Sequence, residues 1–397
     1  MKKIVLCSLL LLLMGAVRAQ QPSPMQQIGI EATLSDSSYV SLLTCGPGDE
    51  FYTTFGHTAL RVCDTTIGLD IVYNYGTFSF SDGWKFYLRF ARGDMRYRLS
   101  RYSMEGFLNE YFSEGRWVEE QILDLSLQER NNLLQMLEFN YLPEYRYYQY
   151  DFFRDNCATR VRDMICNALD HRQWAGEMGK LPAKGNLSYR QLLYPYMEQN
   201  LLWWRFGLDV ILGYNIDKPR STWEYMFAPN ELMNQMDTAV MSDTHRPLCK
   251  ERHQLLAEGR EEAGKSINPS LVFWLVALVV LVLTCLEWYK GLKLRWLDII
   301  LFLLTALVSL IIIFFWFFSI HYCTRPNWNL LWASPLFFYF LFAGKRSNHW
   351  VVLIQMILLL VVISGFIWMP QQINTAILPI CFLLFVRLTS LLRKEQV

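Results

Sequence analysis

Residues 151–164 read DFFRDNCATRVRDM and place a cysteine directly after Asp155-Asn156, at what reads as the first turn of a helix. Cys157, Val161, Ile165 and Leu169 recur every four residues, the spacing of one buried helical stripe. Asp155 or Asn156 is placed to cap that helix. Three readings fit Cys157: a nucleophile, one half of a disulfide, or a packed core thiol. A helix start favours the first, because its unpaired amides and dipole stabilise a thiolate. The residue's own N–H also suits an oxyanion hole. A nucleophile still requires a base.

Of the six histidines, only His57 falls in a clear strand pattern ahead of Asn268. After a turn at Gly46-Pro47-Gly48, side chains alternate: His57, Ala59, Arg61 and Cys63 on one face, Thr58, Leu60 and Val62 on the other. LDIVYNYGTF, rich in β-branched and aromatic residues, predicts a second strand, paired as a hairpin across residues 65–68. DLSLQERNNLLQMLEFNYLP predicts a helix. Ser126 and Glu129 form its capping box, Leu127, Leu133, Leu134 and Leu137 its apolar face, and Pro143 follows its end.

The chain divides by composition. Lys2-Lys3, an apolar run to about Val17 and Val17-Arg18-Ala19 read as a cleavable export signal over residues 1–19. Residues 20–268 mix charge, aromatics and polar groups as a soluble domain does, and residues 269–397 are dominated by apolar side chains. The latter predict about five membrane helices: 271–288, 297–320, one ending near Gly344, 351–368 and 373–392. Lys290, Lys293 and Arg295, then Lys345 and Arg346, then Arg393 and Lys394 collect in alternate loops. The first two groups and the C-terminus are thereby placed in the cytoplasm and the soluble domain outside. A net charge of +1 suggests no nucleic-acid partner. Cys45, Cys63, Cys157, Cys166 and Cys249 precede the membrane region, where disulfides are permitted, but an odd number cannot all pair internally. No CxxC or HExxH spacing marks a metal site, and nothing calls for a cofactor.

A strand histidine, a polar residue on the next strand and an "NC" pair at a helix start resemble the circularly permuted papain-like fold of the NlpC/P60 superfamily. Lecithin:retinol acyltransferase-like enzymes belong to it. More closely, LLTCGPGDEFYTTFGHTALRV, YNYGTF, DNCATRVRD, GLDVILGYNID and NWNLLWASP together resemble the Lnb-type proteins of Gram-negative bacteria. The resemblance spans nearly the whole mature chain. It implies an α+β, permuted papain-like periplasmic domain followed by an all-α transmembrane domain in the inner membrane. It also implies lipoprotein N-acylation, with Cys157 and His57 catalytic. Asn74 would orient the imidazole, or Tyr73 or Tyr75 if the register differs.

The residue types then suggest covalent catalysis. Cys157 takes an acyl chain from a membrane phospholipid or lipoprotein donor and passes it to the N-terminal amine of a lipoprotein, with the bilayer holding both. Trp203, Trp204 and Arg205 suit the membrane surface, as they also suit packing on the core. The loop with Trp328 and Trp332 is placed either to steer a lipid under the dyad or to anchor at the interface. Two other functions remain in competition: a membrane-anchored peptidase cutting peptidoglycan, and a non-catalytic membrane assembly factor. Five spans exceed what wall cleavage needs, and the presence of both His57 and Cys157 speaks against a decayed site.

Overall fold

The structure is a computed structural model that describes residues 33–78, 83–169, 186–198, 200–241, 245–260, 264–343 and 346–394. The expected export signal, residues 1–19, lies outside them. In chain order the strands are β1 (Tyr39–Cys45), β2 (His57–Asp64), β3 (Leu69–Thr77), β4 (Arg96–Ser103), β5 (Val118–Leu123), β6 (Tyr147–Gln149) and β7 (Cys249–Leu256). The helices before the apolar region are α1 (Trp84–Arg92), α2 (Met104–Ser113), α3 (Leu127–Tyr141), α4 (Cys157–Ala168), α5 (Tyr189–Leu193), α6 (Leu202–Ile211), α7 (Thr222–Tyr225) and α8 (Pro229–Thr238).

Among the described residues the strands form one sheet in the order β6-β4-β3-β2-β1-β5-β7, antiparallel at every pairing. The sheet is covered on both faces. Val40, Leu42, Leu60, Val62, Tyr73 and Leu99 point to one side and pack with Leu133, Leu134 and Leu137 of α3 and Val161 and Ile165 of α4. Leu43, Cys45, Ala59 and Val72 point to the other, against Phe107 and Tyr111 of α2. The period of two along each strand sorts these sets. The β2–β3 hairpin and the Ser126–Glu129 capping box form where the sequence predicts them. Cys45 pairs with His57 and Cys63 with Tyr39, so the two cysteines stand at opposite ends of the β1–β2 ladder. Six residues of strand separate them, roughly 20 Å, which no disulfide spans.

The apolar region forms α9 (Pro269–Lys290), α10 (Arg295–Phe317), α11 (Leu336–Ala343), α12 (His349–Gly365) and α13 (Ile377–Lys394). Among the described residues α9 and α10 are long and apolar enough to cross a membrane, and α12 is an apolar helix of shorter length. Two 3-10 turns, Tyr322–Thr324 and Trp328–Leu331, lead into α11, in the region of the expected third span. Side-chain hydrogen bonds hold the loop before it. Asn327 Nδ2 donates to the carbonyls of Val210 and Ile211, both at 2.9 Å, and Asn329 Nδ2 donates to that of Asp209 at 3.0 Å. These bonds fasten the loop to α6. Deep in the bundle, buried Arg387 of α13 binds Asp298 of α10 and Glu287 of α9.

Candidate active site

The β2–β3 register sets the first contact. Leu60 pairs with Tyr73, so Asn74 follows on the side facing His57. Asn74 Oδ1 lies 2.6 Å from His57 Nε2. A carbonyl oxygen can only accept, so Nε2 carries the proton and Nδ1 keeps its lone pair as a base. Neither alternative expected for that place reaches the imidazole: Tyr73 donates to Glu138, and the buried Tyr75 hydroxyl has no partner.

Cys157 is the first residue of α4. Asn156, not Asp155, is the cap: its Oδ1 accepts from Thr159 N at 2.9 Å, and Thr159 Oγ1 accepts from Asn156 N at 2.8 Å. The Asn156 amide also donates to the carbonyls of Phe152 and Phe227, both at 2.8 Å, which fixes the helix start against the loop before α8. Asp155 instead ion-pairs with Arg160, whose guanidinium sits 4.1 Å from the Tyr148 ring centroid.

Gly76 joins the two halves of the site. It adopts φ +93°, in the left-handed region, at a β-bulge between Tyr75 and Thr77. A Cβ at Gly76 would lie 3.5 Å from Cys157 Cβ, 3.8 Å from His57 Cε1 and 3.8 Å from Tyr148 Oη. Thiol, imidazole and phenol therefore converge on one small volume. Tyr148 is the residue that sequence reasoning missed. Its hydroxyl is buried and has no hydrogen-bond partner. A buried unpaired hydroxyl costs about 1–3 kcal/mol, so its retention beside a thiol is a chemical clue. The run YRYYQYDFF offers several tyrosines with no periodicity to choose among them.

Burial governs the protonation of the pair. It pushes the Cys157 thiol up to about 11, although the backbone amides of Thr58, Ala158 and Cys157 itself pull the other way. The helix start is thus outweighed by desolvation. Burial also lowers the His57 imidazole to about 4, opposed by the Asn74 bond and reinforced by the nearby Arg116 guanidinium. At neutral pH the resting pair is a neutral thiol and a neutral imidazole.

The pair opens into a small cleft of about 110 Å³. Its walls are mostly aromatic, with Phe51, Phe55, Phe78, Phe90, Tyr196 and Phe227 among them. Neither Trp328 nor Trp332 lines it. Trp332 is buried in the helical bundle, its Nε1 bonded to Asn329 Oδ1 at 2.8 Å, while Trp328 is exposed. Trp203, exposed on α6, packs its ring 5.8 Å from that of Phe273 on α9, beside the start of a membrane helix.

An α+β domain holding a buried thiol–imidazole pair, seated on a bundle of apolar helices, defines a membrane-anchored protein with its sheet domain outside the bilayer core. Residues 26–193 match the Lnb N-terminal periplasmic domain, and residues 261–396 match the Lnb transmembrane domain. Between them the two matches take in most of the chain, and the protein belongs to the Lnb family of lipoprotein N-acyltransferases. Comparison with curated proteins and with solved structures gives no match.

Proposed function

We propose that the protein transfers an acyl chain from a lipid ester, through a thioester on Cys157, to the N-terminal amine of a lipidated lipoprotein in the outer leaflet of the inner membrane. The observation that carries this reading is the meeting of Cys157, His57 and Asn74 at one end of an aromatic cleft, in a chain whose remainder is an Lnb transmembrane domain. The order of the three groups also supports a permuted papain-like arrangement, while the periplasmic-domain match and the basic loops support a periplasmic sheet domain and a cytoplasmic C-terminus.

The steps follow from the groups present. A lipid ester enters the cleft, and His57 Nδ1 accepts the Cys157 proton as sulfur attacks the carbonyl carbon. The oxyanion is met by backbone amides at the start of α4 and by the Tyr148 hydroxyl. The C–O bond breaks, and imidazolium returns its proton to the departing lyso-lipid oxygen. The acceptor amine, with an ordinary pKa of about 8, is partly neutral at neutral pH. It attacks the thioester and forms an amide. Its proton passes through His57 to the leaving sulfur, which restores the neutral pair. Aromatic walls favour an acyl chain over the polar stem peptide that a wall peptidase would have to bind.

The test is mass spectrometry of lipoprotein N-termini from cells with the protein and with Cys157→Ala in its place. N-acylated cysteine should be present in the first and missing in the second. A hydroxylamine-labile acyl adduct should form on Cys157 of the purified protein. Release of peptidoglycan peptides with no acyl adduct would establish the peptidase reading instead.

A further inference from the structure

The helix α1 was not distinguished in the sequence, and it presents three faces. Phe86 and Phe90 turn inward. Lys85, Arg89 and Arg92 form a basic edge. Trp84, Tyr87 and Leu88 share the third face, at helical spacing. They are 71%, 69% and 45% exposed. Large aromatic side chains clustered in water on so short a helix call for a partner.

The surroundings identify that partner. The carbonyl of Arg92 accepts from Ile320 N at 2.8 Å, and that of Phe90 is 2.8 Å from His321 Nε2. Gly93, at φ +79°, caps the helix so closely that a Cβ there would lie 2.8 Å from Ile320 Cγ1. Ile320 and His321 directly follow the membrane helix α10, and Phe317, Phe318 and Ile320 are all strongly exposed. The outer face of α1 therefore continues the lipid-facing end of a membrane helix. Aromatic and basic residues together are the composition of an interfacial helix beside anionic headgroups.

We propose that α1 lies in the outer leaflet, with Trp84, Tyr87 and Leu88 among the lipids, and that it forms the wall across which an acyl chain passes into the cleft. Its inner face is already that wall. Phe90 lines the cleft, 5.9 Å from Phe51, and Phe86 stacks at 5.5 Å on Phe78, which also lines it. The immersion of α1 stands on geometry alone, and the entry role rests on the acyltransferase reading.

Two measurements on the full chain test these parts separately. A benzophenone amino acid replaces Tyr87 in protein reconstituted into phosphatidylethanolamine–phosphatidylglycerol vesicles, and illumination should yield a lipid adduct at that site. The same substitution at Ile67, exposed at the β2–β3 turn far from His57, should yield none. Equal adducts at both sites, or none at Tyr87, would overturn the immersion. For entry, Trp84→Ser combined with Tyr87→Ser and Leu88→Ser should slow Cys157 acylation by vesicle phospholipid about tenfold. Acylation by a short-chain, water-soluble thioester should be unchanged. A loss with both donors, or with neither, would overturn the entry role. If the unaltered protein never acquires an acyl group while the Tyr87 adduct forms, the acyltransferase reading fails and the immersion stands.

Discussion

Two buried polar clusters in this molecule behave in opposite ways. Around Arg190, at the seam between the sheet domain and the membrane helices, the guanidinium is fully engaged. Nε binds Asp217 at 2.7 Å, Nη1 binds Asp209 at 2.7 Å, and Nη2 reaches the carbonyl of Leu212 at 2.9 Å. Asp209 also takes a 2.8 Å bond from Asn374, next to α13. Around Cys157, by contrast, the hydroxyls of Tyr148, Tyr75 and Thr58 are buried with no partner. A cluster whose polar atoms are all satisfied holds structure together. A cluster that leaves hydroxyls open keeps donors to offer a bound ligand.

The sharpest break between the clusters is in what mutation removes. Cys157→Ala and His57→Ala should each lower acyl transfer by about 10⁴-fold or more, with the double variant little worse than either, because the pair works as a unit. Thermal unfolding of both variants should match that of the unaltered protein. Turnover near normal in either would end the assignment.

Arg190→Met should act in reverse, through stability. Stranding two buried carboxylates costs about 3–5 kcal/mol, and the variant should unfold well below the parent or fail to accumulate. A variant of parental stability would show that the seam does not depend on this residue.

Tyr148→Phe is the finest discriminator. Losing one oxyanion donor lowers kcat by roughly 10²-fold. Removing an unpaired hydroxyl should leave the melting temperature equal to or higher than the parent's. A slower and less stable variant would place Tyr148 with the structural cluster.

The smallest effects are in pH. With the imidazole at about 4 and the thiol at about 11, alkylation of Cys157 by iodoacetamide should climb steadily with pH and show no acid plateau. A plateau below neutrality would reveal a resting ion pair. The stability linkage has a definite sign. His57 is lowered from 6.5 to about 4, so its contribution is complete above pH 6.5 and is lost as pH falls toward 4. The full loss is about 3 kcal/mol. His57→Gln should therefore show a weaker loss of stability between pH 6.5 and 4.

Cys157 and His57 were legible as candidates because each sits in an element with strong local signals, whereas Asn74 came only with the family resemblance and beside Tyr73 and Tyr75. Strand alternation placed the imidazole, and the NC pair with its stripe placed the thiol. Tyr148 was not legible, since β6 has only three residues in an all-aromatic stretch where neither period can be read. Arg116 acts on His57 across a fold contact with no counterpart in local sequence. Helix α1 escaped notice because three faces of different character dilute any single stripe. Apolar composition reports lipid affinity but not the side-chain bonds of Asn327 and Asn329 that tie the loop before α11 to α6.

Those two asparagines have a consequence for how the molecule measures distance. Together with Gln371, whose Nε2 donates to Leu212 O at 3.1 Å, they clip α6 to the membrane bundle at several carbonyls in a row. Gly213 leaves no slack, since a Cβ there would lie 2.3 Å from Pro326 O. The sheet domain is therefore joined to the membrane helices by side-chain bonds as well as by the chain itself. Amide side chains, acting as a ruler, thus help to set how far the Cys157 sulfur stands from the membrane helices.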